Sequence, residues 1–89
     1  MPRTPRNLDD PEEVQNFIDE FGALKGHALA RRLGFTGTGC VERANALSAY
    51  AWNKHTAIAQ RKIGNIAAAL RYEAICNTVY ATLHINDRW

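Results

Sequence analysis

A chain of 89 residues, 46% of them hydrophobic, is one domain with a real but thin core, burying about 60–65% of its unfolded surface. No apolar run approaches the ~20 residues needed to cross a bilayer, and the polar start lacks a signal-peptide core, so the expected compartment is the cytoplasm. The formal net charge of +2 hides a split: residues 1–20 hold two arginines against six carboxylates, and residues 21–89 hold nine Lys/Arg against Glu42, Glu73 and Asp87. The basic body either faces a polyanionic or acidic partner or is neutralised by the acidic segment folding back.

Residues 1–8, polar and with two prolines, are expected to form a flexible arm, and residues 9–89 a single helical domain. A first helix is expected over about 10–22. Asp9 or Asp10 caps it, Pro11 takes its first position, and Glu12 and Glu13 meet its positive dipole end. Val14, Phe17, Ile18 and Phe21 make its apolar stripe, and Gly22 ends it. A second helix, about 25–33, turns Ala28, Leu29 and Leu33 inward and stops at Gly34. A glycine-rich loop follows, in which Thr38 is the expected cap of a third helix. That helix runs over about 39–63, and a fourth over about 65–83. Gly64 supplies the left-handed residue between them and Asn65 the next cap. The segment 84–89 gives no clear signal.

Plotted at 100° per residue, the third helix gathers Cys40, Ala44, Leu47, Ala51, Trp52, Ile58 and Ile63 into one arc, with Ser48 and His55 inside it. Arg43, Tyr50, Lys54 and Arg61 form a stripe along its border. The fourth helix is apolar on two faces. One holds Ala68, Ala69, Tyr72, Ile75, Cys76, Val79, Tyr80 and Leu83; the other holds Ile66, Leu70, Ala74 and Ala81. Its second face wants either the first two helices or another subunit.

Trp52, the Gly64-Asn65 break, Ala69 and Tyr72 give the stretch 50–83 a pattern that resembles a single tetratricopeptide-type helical hairpin. The resemblance implies two antiparallel helices; such repeats stack in threes or more, and here there is one copy. Upstream, His27-Ala28-Leu29-Ala30-Arg31-Arg32-Leu33-Gly34-Phe35-Thr36, with Ala30 and Gly34 spaced for a tight helix crossing, resembles the start of a helix-turn-helix unit over 27–45. One extra residue in the turn brings Val41 and Ala44 onto the apolar positions. This resemblance implies a third helix entering the DNA major groove, with Thr38, Glu42, Arg43 and Asn45 near base edges.

Each candidate residue has two readings. Arg31, Arg32, Arg61 and Lys62 form a basic patch, or they complement helix C-termini. The stripe Arg43, Tyr50, Lys54, Arg61 matches a run of phosphates with a stacking tyrosine, or it is long side chains lying along an apolar edge. His55 is expected in the core beside Glu73, because residues summing to about 128 face one another across the hairpin. Trp52 belongs to the same structural set. Cys40 and Cys76 are separated by roughly 18 Å in that register, so two free, largely buried thiols are expected. Trp89, after Arg88, is an interface anchor or a tail packed on the first helix.

The chain therefore reads as an all-α, small four-helix domain: a long antiparallel hairpin covered by two shorter helices. It holds no metal-ligand spacing, phosphate loop or nucleophile motif, and we expect no enzymatic activity, no cofactor, no metal and no small-molecule substrate. The leading expectation is a small accessory or regulatory interaction module that binds a partner protein or itself. The alternative is DNA or RNA binding through 27–45 and the basic stripe.

Overall fold

The computed structural model describes residues 6–89, so residues 1–5 of the expected arm lie outside the described residues. Residues 6–8 belong to the body instead. Leu8 is fully buried, and the Arg6 guanidinium lies over the rings of Phe17 and Phe21, 5.7 and 5.1 Å from their centres. The chain is all-α: α1 (Pro11–Phe21), α2 (Gly26–Leu33), α3 (Cys40–Lys62) and α4 (Ile66–Thr82), followed by a single 3-10 turn at Ile85–Asp87.

Local signals place most of the helix ends. Asp10 accepts the Glu12 N–H at the start of α1, with Pro11 behind it. Gly22 ends α1 with right-handed backbone (φ −59°), so its value is space: a Cβ there would meet the Ile18 carbonyl oxygen and then, at 3.1 Å, the Trp52 ring. The α3–α4 turn is a Schellman motif. Gly64, at φ +82°, donates to the Arg61 carbonyl and Asn65 to that of Gln60. The Asn65 side chain then accepts the Ala68 N–H and opens α4.

Two expectations about ends and faces are corrected. Thr38 does not cap α3. Gly39, in the left-handed region, precedes the helix without a side-chain cap, and the Cys40 N–H bonds back to Gly37. In α2 the inward residues are Leu29, Ala30 and Leu33, and Ala28 is exposed. An eight-residue helix takes its rotation from the surface it packs on, and that surface is α3.

α3 is the hub, since α1, α2 and α4 all pack against it. This overturns the single-arc picture of α3. A helix covered on two sides buries a wider band, and the band includes Tyr50 and Ala57 on the α4 side, while Trp52 and Ile63 stay exposed. Phe17, Phe21, Leu29, Leu47 and Tyr50 fill the centre of the resulting core.

Candidate functional site

The basic stripe on α3 is not a free surface. The side chains of Arg43, Tyr50, Lys54 and Arg61 all point to the seam where α4, the 84–89 segment and residue 9 meet α3. Arg43 makes two hydrogen bonds to Asp87, at 2.8 Å from Nε and 2.6 Å from Nη2. Its guanidinium also lies 3.8 Å from the centre of the Phe35 ring. Tyr50 donates its phenol to Asp9, and Lys54 reaches the same carboxylate at 3.2 Å. Arg61 holds Glu73 with two 2.7 Å bonds.

Asp9 gathers three donors, because the Trp89 indole N–H also reaches it at 2.8 Å. Partial burial pushes its carboxyl up, but the bonds from Tyr50, Trp89 and Lys54 together outweigh this and hold it below its ordinary value. Burial, and then the Asp9 bond, push the Tyr50 phenol up, so it stays a neutral donor. The bond to Arg61 lowers Glu73, and the bond to Asp87 raises Arg43. Trp89 completes the seam. Its ring meets Tyr50 and Tyr80 edge-on, with centroids 4.9 and 5.0 Å apart, and its carbonyl accepts the Tyr80 hydroxyl. Trp89 is therefore packed back on the molecule, against α3 and α4 rather than α1.

The expected His55–Glu73 pair is absent because Arg61 takes the Glu73 carboxylate with two bonds, which an imidazole cannot match. His55 is half-buried beside the exposed Trp52, ring centroids 5.8 Å apart. Cys40 and Cys76 are free thiols. Cys76 is buried and donates weakly to the Tyr50 carbonyl, whereas Cys40 is half-buried. Arg31 and Arg32 sit in the last turn of α2, exposed, and their side chains make no ion pair among the described residues. A solvent-open pocket of about 200 Å³ separates α2 from the start of α3, lined by His27, Arg31, Phe35, Thr36 and Cys40. Among the described residues no group of three His, Cys, Asp or Glu could hold a metal ion, and no helix is long and apolar enough to cross a membrane.

Among the described residues, the outer side of α4 leaves large apolar side chains exposed. Ala68, Ala69 and Cys76 are buried; Ile66 and Leu70, about 40° apart round the helix, are 46% and 54% exposed after Ile63, 74% exposed in the turn, whereas Ile75, 43% exposed, stands about 180° round from Ile66 at the other border of the buried face. Ile75 corrects an expectation, since it was placed on the inner face. α1 and α2 pack on α3 and leave this side open. Ala67, Ala74 and Ala81 recur every seventh residue along it, and the only charged residues of α4 are Arg71 and Glu73.

Sequence reasoning missed Asp9, Phe35, Tyr80 and Asp87 as members of the seam. Asp9 alone left a signal: with Asp10 as the cap, a second adjacent aspartate had no local task. Compared with known proteins, the chain matches no family model, and neither a curated protein nor a solved structure matches it.

Proposed function

We propose that this chain is a non-enzymatic helical interaction module whose docking surface is the outer side of α4, used to bind a partner protein or a second copy of itself. One observation carries the reading: Ile66 and Leu70, one turn apart on α4, are exposed after the exposed Ile63 of the preceding turn, on a side that α1 and α2, packed on α3, leave open. Leaving such residues in water forgoes roughly 25 cal/mol per Å² of burial, and apolar side chains left exposed one turn apart on one helix support a contact surface there. The alanines at seven-residue spacing let a second helix approach closely.

Sedimentation of the full chain over a concentration series tests self-association. The expected result is a concentration-dependent rise in mass that Leu70→Glu removes without loss of helix content. A chain that stays monomeric at about 1 mM, a Kd equivalent to only about 4 kcal/mol, would exclude self-association and leave a different protein as the partner.

The nucleic-acid alternative now rests on Arg31 and Arg32, which are exposed and outside any ion pair among the described residues, because the α3 stripe is engaged internally. Duplex DNA titrated at low and moderate salt separates the readings. Binding that falls by orders of magnitude with salt and is lost in Arg31→Glu with Arg32→Glu would favour the alternative.

A further inference from the structure

The 84–89 segment is joined to the body by a short extended link and held there by specific side-chain contacts. Leu83 and His84 have φ/ψ of −64°/144° and −57°/141°, so no helical bond carries the chain from α4 into the 3-10 turn through them. Beyond this link two anchors seat the segment. Asp87, buried, meets Arg43, and Trp89 meets Asp9, Tyr50 and Tyr80. The seat is built by the body: Phe35 orients Arg43 by stacking, and Tyr50 is fixed in the core. A carboxylate and an indole two residues apart are what this seat recognises. Arg88 adds a separate tie, donating to the Leu83 and Ala81 carbonyls at the end of α4.

We infer that the 84–89 segment is an exchangeable strap, and that its seat takes the same segment from a second copy of this chain. Closed and exchanged forms make the same contacts, so the balance between them is set by the link and by concentration rather than by new interactions. A short tether gives its own seat an effective concentration on the order of millimolar, which keeps the native chain closed when dilute. The inference does not rest on the α4 surface.

Reversed charges test it. Asp87→Lys sets two cations against each other within one chain, and Arg43→Glu sets two carboxylates against each other. In a mixture, each seat finds the opposite charge on the other chain's strap, so both pairs of a reciprocal dimer are complementary. All chains carry Leu70→Glu, which removes association through α4.

Native mass spectrometry at about 0.1 mM, below the effective concentration of the tether, reads the result. We expect each single variant to be monomeric alone, the mixture to give a 1:1 heterodimer, and a chain carrying both charge changes to be monomeric. A mixture that stays monomeric while both chains keep their helix content overturns the inference. Should either charge change unfold its chain, circular dichroism of the same mixture decides: helix content regained on mixing supports exchange, and none regained overturns it.

Discussion

The two sides of the α3–α4 hairpin use opposite chemistry in opposite places. On the seam, Arg43, Lys54 and Arg61 meet Asp87, Asp9 and Glu73 around a buried tyrosine. On the outer side of α4, Ile66 and Leu70 stay 46% and 54% exposed. Charge, ordinarily read as free surface, is here paired with partners far away in sequence, and apolar side chains, ordinarily read as core, are left exposed. The acidic first twenty residues do fold back on the basic body, but through Asp9 alone among the ion pairs of the described residues. Outside these pairs the cations of the basic body are Lys25, Arg31 and Arg32 at α2, Lys62 at the end of α3, Arg71 and Arg88.

The contrast would break if the seam proved as dispensable as the outer face. Arg43→Ala leaves the buried Asp87 carboxylate without its two donors, so we expect a loss of about 1–3 kcal/mol in urea unfolding. Asp87→Ala added to Arg43→Ala should recover part of that loss, and the double-mutant cycle measures the coupling. A cycle with no coupling would show that the pair is an accident of packing.

Asp9 is a weaker test, since its carboxylate is half exposed and solvent screens it. Its folded pKa lies below the unfolded value of 3.8, so its contribution is complete above that pH and disappears as pH falls through the folded value. Wild type and Asp9→Ala should therefore differ by under about 1 kcal/mol near neutral pH, with the two curves converging as Asp9 is protonated. A gap that persists in acid would assign the effect to packing instead.

Smallest of all should be the stability effect of Leu70→Glu, within about 0.5 kcal/mol, even as it removes association. A large loss there would mean that the outer side of α4 is part of the core.

Local rules made much of the fold legible. Asp10-Pro11 opening α1, and Gly64-Asn65 turning α3 into α4, need only their neighbours, and both stand where the sequence placed them. The four helices and the two free cysteines follow from the same short-range reasoning. The seam was illegible because its ion pairs and the bonds to Asp9 join residues 12 to 80 positions apart. A helical wheel ranks Tyr50 by its own helix and cannot know that Asp9 will accept its hydroxyl. The wheel also assumes one buried face, and a hub helix has two. His55 failed for a related reason. In the expected register it stands level with Glu73, but a longer and better-shaped donor, Arg61, holds that carboxylate with two bonds.

The bond between Trp89 and Asp9 spans 80 positions of the chain, whereas the hairpin turn is closed by bonds between residues three and five apart. Closing a loop costs entropy that grows with its length, so contacts of these two kinds do not arise together in time. The hairpin has everything it needs at once, and the seam must wait for a body to close upon. Weakening Asp9 or Trp89 should then hasten unfolding and leave refolding unchanged, while Gly64→Ala should slow refolding; stopped-flow Trp fluorescence would show either pattern. The same knot of tyrosine, tryptophan and aspartate that fastens the finished molecule is thus the last part of it to be tied and the first to come undone.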